Sequence, residues 1–298
     1  MNDFELDVAP AGLSDAARAA WCREPMSLPQ LGEIWLLSWN GHAHALVLVT
    51  ALSPDYVLGM PVMLGAGHAT EDEMLLPASV LGTELTLLHR AETGLGRFLF
   101  HRNLGVALSE SDTARVRNAA YSTEQPPLRV GTQAFAREVG EVLDSALRKF
   151  QSLCFIEWPS VEMGEAVLNR SALEQIGVNA REFRTVSDLP TSVALRTWRG
   201  DEPLGEAVLN KLSAHFKVAR EELVSAPDDT NTHELSEPRF KSDLLELASN
   251  LSMTEREARN RVRGEFALAA RSNSLGELRK TLVEDTVIRL LEASRDGD

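Results

Sequence analysis

Between Gly32 and about Leu104 the apolar residues fall in short runs separated by turn-forming clusters. Residues 33–39, 44–52, 57–64, 74–76 and 84–89 are such runs, bounded by Asn40-Gly41, Ser53-Pro54-Asp55 and Gly65-Ala66-Gly67. Runs of this length between Gly, Pro, Asn and Asp read as β-strands. Asn-Gly between two apolar runs signals a hairpin, because both turn residues must take positive φ. A small barrel is the natural way to close such strands. Ser14 predicts a short helix over residues 14–22, inside an acidic leader of residues 1–29. Ser109, with Asp112 early in the first turn, predicts another helix to residue 121.

Residues 123–130, with Pro126-Pro127, read as a linker, and beyond them the period changes. Phe135, Val139, Val142, Leu143, Ala146, Leu147, Phe150 and Leu153 recur at three- and four-residue spacing, which predicts an amphipathic helix. Everything after residue 130 reads as helical. The hexapeptide Gly-Glu-Ala-Val-Leu-Asn then occurs twice, at Gly164 and Gly205, each time after a Trp (Trp158, Trp198). Residues 176–183 answer to residues 216–223, with a fainter echo at 251–258. Duplicated units of about forty residues present surface more often than they assemble a catalytic centre. In each copy an apolar stretch (166–173, 207–216, 244–251) meets a tight turn and a second short helix. Asn179 and Thr254 are good caps for that second helix and Ala219 is a poor one. Residues 226–238 form a polar connector, and two final helices are expected over about 241–272 and 276–293. The expected domains are therefore the leader, a barrel over 30–122, a helical region over 131–226 with two repeats, and a C-terminal helical segment over 239–298.

The 298 residues carry a net charge of −14, but unevenly. Residues 1–127 hold 15 acids and 7 bases, 128–238 hold 18 and 12, and 239–298 hold 11 of each. An acidic field repels phosphate backbones, so only the last segment suits nucleic-acid contact. The best apolar run, residues 45–52, is far short of the ~20 residues that a membrane helix needs. The first thirty residues lack the basic start and apolar core of a secretory signal. Cys22 and Cys154 make neither a disulfide framework nor a zinc pattern. A cytoplasmic protein with no membrane partner is expected.

Gly32-Glu33-Ile34-Trp35-Leu36, then His44 to Thr50, then Leu104-Gly105-Val106-Ala107-Leu108 before a helix, resemble in order and spacing the PemK/MazF family of bacterial toxins. The resemblance covers roughly residues 30–120 and implies an SH3-like barrel; members of the family cleave RNA. Two positions depart from it. The family's second strand begins Arg-Pro, with the Arg in its active site, where this chain has His44-Ala45. Its third strand ends in residues like Pro-Ile-Thr-Ser, with a catalytic hydroxyl, where this chain has Pro61-Val62-Met63-Leu64. Cleavage by 2′-OH attack needs charge stabilisation at the phosphate and acid–base partners, and Met63 supplies neither. Residues 212–223 are similar to the helix-turn-helix phrase of Xre-type bacterial regulators, a phrase that suits any tight helical corner.

The candidate chemistry is sparse. His44 is the catalytic candidate if the chain is a ribonuclease, working with Arg90 or Arg97. His42 and His44 share one strand face and would need His68 or Glu71 to complete a metal site; as they stand they serve equally as polar hairpin surface. No phosphate-binding, hydrolase or metalloprotease motif is present, so no cofactor or metal is expected. Glu71-Asp72-Glu73 reads as a solvated loop face. Arg256, Arg259 and Arg263 fall on one helix face as a stripe for nucleic acid or an acidic partner, or as partners of Glu255, Glu257 and Glu265. Trp158 and Trp198 are candidate partner anchors, or fill the junction between helical units. The expected molecule is an α+β protein: a small SH3-like barrel followed by a larger all-α region with duplicated helix-turn-helix units. Its expected role is non-catalytic regulation or adaptor recognition, in toxin–antitoxin, transcriptional or phage-defence systems. A protein partner is expected, nucleic acid can be contacted through the C-terminal helices, and a homo-oligomer is compatible with exposed sheet and repeat ends. The alternatives are a MazF-like endoribonuclease with a divergent site and a helix-turn-helix DNA-binding regulator.

Overall fold

Asn40 and Gly41 both take positive φ, 51° and 75°, and fold β1 (Glu33–Trp39) back onto β2 (His42–Leu52). The computed structural model containing this hairpin describes residues 6–24, 27–54, 56–77, 80–122, 126–134, 136–156, 158, 167–199, 204–225, 234–272 and 279–295. Among the positions read above, Asp55, residues 123–125, Phe135, residues 164–166, most of the 226–238 connector and residues 276–278 lie outside these described residues. The chain divides into two compact units, one of residues 1–158, 236–258 and 291–298, the other of residues 159–235 and 259–290. The Pro126-Pro127 stretch thus falls inside the first unit, and residues 236–258 return to it. The protein is a mixed α+β molecule.

In the first unit α1 (Asp15–Trp21) precedes the hairpin, and β3 (Tyr56–Leu64), β4 (Met74–Leu76), β5 (Leu85–Leu87), β6 (Thr93–Gly96) and β7 (Phe100–Val106) follow it. Two helices come next, α2 (Glu110–Ala120) and α3 (Arg137–Leu153). All strand pairs are antiparallel, in the order β4-β5-β3-β2-β1-β7, and β6 pairs with the first half of β3. The expected barrel is not closed: the described β4 and β7 do not pair with each other. Each outer strand is covered instead. Leu75 donates to the carbonyl of Arg129 and Gly131 to that of Glu73, along β4. α1 packs on β7, and the Arg102 side chain donates to the carbonyl of Trp21.

β1 is buried along its whole length, and its alternation serves two cores. Ile34 and Leu36 pack with Leu46, Leu48, Met60, Val62 and Leu87 beneath Trp21 of α1 and Val116 of α2. The opposite face is aromatic: Trp35 meets Phe100 edge-on at 5.7 Å, Trp39 meets Phe98 at 5.1 Å, and Phe98 meets Trp158 at 6.2 Å.

The returning segment holds α9 (Lys241–Asn250) and the start of α10 (Glu255–Ser272). Lys241 has no exposed surface, and its ammonium donates three bonds: to the carbonyls of Ser38 (2.9 Å) and Phe98 (2.8 Å), and to Oε1 of Glu255 (2.8 Å). It also lies 5.3 Å from the centre of the Trp39 ring. Glu255 in turn accepts from the Asn40 backbone N–H through Oε2, while Asn40 Oδ1 accepts from the Glu255 N–H. The turn residue of the hairpin therefore satisfies one of the unpaired donors at the start of α10.

The second unit contains β8 (Val167–Leu168), α4 (Arg170–Gln175), α5 (Ala180–Ser187), α6 (Thr191–Arg199), α7 (Glu206–Phe216), α8 (Arg220–Leu223) and β9 (Val224–Ser225). Its core includes Leu173, Phe183, Ala194, Trp198, Leu212 and Leu223. α10 continues into this unit's residues and α11 (Arg279–Arg295) begins there. The region after residue 130 is not wholly helical, since β8 pairs with β9. The long helix expected over 241–272 is broken at residues 251–254.

The duplicated hexapeptide does not keep one structure. At its first copy Val167-Leu168 is a strand and Asn169 caps α4, whereas at the second Gly205 caps α7 and residues 206–210 are helix. The corner that follows is what repeats. Gly177, Lys217 and Ser252 are each left-handed, at φ 84°, 57° and 51°. Val178 N–H returns to the Leu173 carbonyl and Met253 N–H to the Ala248 carbonyl, which satisfies the last carbonyls of each preceding helix. Asn179 caps α5, Thr254 and Glu257 form a reciprocal capping box, and Ala219 makes no cap bond.

Breaking a buried ion pair by removing one partner costs about 3–5 kcal/mol, because the other charge stays buried without compensation. Lys241→Met is therefore expected to lower the urea unfolding midpoint by that equivalent. Adding Glu255→Gln, which keeps the acceptor for Asn40 but removes the charge, recovers at least half. A single variant no worse than the double would contradict this.

Candidate functional site

His44 sits at a β-bulge. Leu37 pairs with Ala45 and Ser38 with Ala43, so His44 has no opposite residue on β1. Bulges re-aim a side chain and recur beside functional sites. The His44 ring is half-buried and bonded to the Trp39 backbone. Burial lowers its pKa below 6.5, the Trp39 bond opposes that shift, and the charges of Lys149, His42 and Lys241 add to it. The protonated form of His44 is thus disfavoured.

Helix α3 packs on β2 and β3. Its Val139 and Leu143 are buried against Leu88, with Met63, Ala91, Ala146 and Leu147 packed around them. Lys149 of the same helix is the first-ranked charge acting on His44. Of the two positions where this chain departs from the PemK/MazF pattern, Met63 packs against α3, and His44 feels the charge of Lys149 from that helix. At the helix end Cys154 Sγ meets Thr93 Oγ1 at 3.2 Å.

The other proposed ribonuclease residues do not gather at His44. Arg97 donates to the Ser53 carbonyl at 2.7 Å, nine positions on from His44 in sequence. In extended chain that is roughly 30 Å. Arg90 faces Asp72 at 3.7 Å on the open surface. Among the described residues no three His, Cys, Asp or Glu side chains come together as a metal site, so His42, His44, His68 and Glu71 do not assemble one.

The arginine stripe needs correction. Arg259 has no exposed surface and donates to the carbonyl of Leu235, so it holds the fold and cannot meet a partner. Arg256 and Arg263 are half-buried and Arg261 is exposed. The tryptophans are corrected likewise. Each is 6% exposed: Trp158 stacks edge-on against Phe98, and Trp198 packs on Phe183 with the Arg170 guanidinium over its ring. Their rings are consumed by internal contacts, in two unrelated settings.

A polar cluster that the sequence did not single out lies at the other end of β2. Glu92, with its side chain 3% exposed, accepts from Thr50 Oγ1 (2.5 Å), Tyr121 Oη (2.5 Å) and Arg117 Nε (2.8 and 3.1 Å). Burial pushes its pKa up, and these hydrogen bonds from Thr50, Tyr121 and Arg117 outweigh it, leaving the carboxyl below its ordinary range. Its partners are 25 to 42 positions away in sequence, so no local spacing marks them.

No family model matches the chain, and comparison with curated proteins finds no match. No described helix is long and apolar enough to cross a membrane.

His89, also buried, has a lowered pKa through burial and Arg90, with Glu73 and Asp72 opposing. For His44 and His89 alike the unfolded chain binds the proton more readily than the folded one. Stability therefore falls as pH drops through the ordinary histidine value and is regained above it. Urea midpoints measured from pH 7.5 to 5.5 should decline, and less steeply in His44→Gln and His89→Gln. Equal slopes in all three proteins would refute the assignment.

Proposed function

We propose that the chain is a non-catalytic regulatory or adaptor protein, of the kind that serves toxin–antitoxin, transcriptional or phage-defence systems, and that its sheet unit recognises a protein partner. The sheet unit is read as a PemK/MazF-like, SH3-like scaffold that has exchanged its relatives' chemistry for recognition. The observation that carries this reading is α3 packed on Met63, the position where the resemblance implies a catalytic hydroxyl. A phosphodiester substrate reaching Met63 would have to displace that helix, inside an acidic unit. Catalysis of this kind depends on preorganised charge at the phosphate, whereas Arg97 is bonded to the Ser53 carbonyl and Arg90 faces Asp72.

Nucleic-acid contact through the C-terminal helices has thinner support. Arg256, Arg261 and Arg263 are the residues left to make it, since Arg259 is buried. The Xre-like corner ends in α8, a single turn carrying Glu221 and Glu222, which suits packing better than a groove of DNA. A regulator of this type would lose DNA affinity steeply with salt and on replacing Arg256 and Arg263.

Incubation of purified protein with a mixed RNA pool tests the main reading. RNA is expected to stay intact with the wild type and with His44→Ala alike. Cleavage by the wild type that the variant lacks would reverse the proposal in favour of a divergent endoribonuclease.

A further inference from the structure

His89 is 3% exposed, and its buried Nδ1 has no hydrogen-bond partner among the described residues. It opens the single turn His89–Ala91, which follows β5. β4 runs antiparallel to β5, with Met74 opposite Leu87. Continuing that register sets Glu73 opposite Leu88 and Asp72 opposite His89. The 3.7 Å approach of Asp72 to Arg90 agrees with this alignment.

The two carboxylates are engaged differently. Asp72 is exposed and faces Arg90. Glu73 is half-buried and turns back on its own loop, where Oε2 accepts from the N–H (2.9 Å) and the hydroxyl (2.7 Å) of Thr70. That closes a turn over residues 70–73, and the turn holds a strap. The Glu73 carbonyl accepts from the Gly131 N–H at 3.1 Å, and the Ala69 carbonyl from the Gln133 N–H at 3.0 Å. A side chain at Gly131 would meet the Ala69 carbonyl oxygen at 2.0 Å, so the strap lies directly on the loop. A few residues on, the strap becomes α3, whose Val139 and Leu143 pack on Leu88, the neighbour of His89.

A neutral imidazole can keep one nitrogen as a bare acceptor, whereas an imidazolium must donate from both. A buried donor without an acceptor is costly, so the unbonded Nδ1 fits the neutral ring. Burial favours that form as well. β3 and α2 also pack against this turn. Their ionisable groups are Tyr56, Glu110, Asp112, Arg115 and Arg117. Tyr56, Glu110 and Arg115 are exposed, Asp112 is bonded to Ser109 and Arg115, and Arg117 is bonded to Glu92. The half-buried carboxylate that the strand register brings alongside is that of Glu73. We propose that His89 and Glu73 form an acid-operated catch: a proton taken up at Nδ1 of His89 draws the Glu73 carboxylate away from Thr70, opens the 70–73 turn and frees residues 131–133. Return to neutral pH gives the proton back to solvent and re-forms the turn. The catch goes beyond the recognition reading and stands without it, and it gives the helix that packs on Met63 a condition for loosening at its N-terminal end.

The test is amide hydrogen exchange of the full chain at pH 7.5 and pH 5.0, corrected for intrinsic rates. On acidification the protection of the Gly131 and Gln133 amides should fall at least about tenfold more than that of the β2 amides. His89→Gln, which cannot take up the proton, should abolish that excess. Glu73→Gln, which keeps an acceptor for Thr70 but not the charge, should abolish it too. Glu73 is only half-buried, so its variant keeps the test valid should His89→Gln fail to fold. His68, on the same loop, also has a buried Nδ1 without a partner among the described residues, and His68→Gln should retain the excess. Equal loss of protection at the strap and at β2 in the wild type overturns the proposal. So does an excess that persists in a folded His89→Gln or Glu73→Gln protein, or one that vanishes in His68→Gln.

Discussion

A lysine with no solvent contact, Lys241, is the constraint on which the sheet unit rests. An ammonium group in a protein interior is tolerated only when every proton has an acceptor and its charge a counter-ion. Lys241 meets both conditions through Ser38, Phe98 and Glu255, which belong to β1, to the turn before β7 and to α10. Glu255 repeats the logic toward Asn40. Residues more than two hundred positions apart are thus required to meet in one place, and the hairpin, the aromatic face of β1 and the returning helices have to be built together.

That closure gives the sheet unit two differently occupied regions. At one, α3 packs on β2 and β3 and covers Met63. At the other, the Thr50 end of β2, Glu92 is held by Thr50, Tyr121 and Arg117.

Local features were legible wherever the physics is local. Asn40-Gly41 predicted its hairpin because few other dipeptides accept two positive φ values. The 3.6-residue period placed α3 and its buried Val139, Leu143, Phe150 and Leu153. Asn179 and Thr254 were readable as caps. The duplicated hexapeptide misled because Glu-Ala-Val-Leu suits either strand or helix, and the partner that makes Val167-Leu168 a strand, β9, lies more than fifty positions on. An i, i+3, i+7 run of arginines likewise has the same spacing on a buried face as on an open one, and only the Leu235 carbonyl reveals that Arg259 points inward. Lys241 and Glu92 left no sequence signal, because every group that explains them is distant along the chain.

Native-state hydrogen exchange tests the central claim most directly. If the Lys241–Glu255 pair makes residues 236–258 part of the sheet unit, the α9 amides exchange only through the same global opening as those of β1 and β2. Their exchange free energies then coincide and fall together in Lys241→Met. Protection of α9 that is weak and independent of β1, or a Lys241→Met effect confined to α9, would contradict the account.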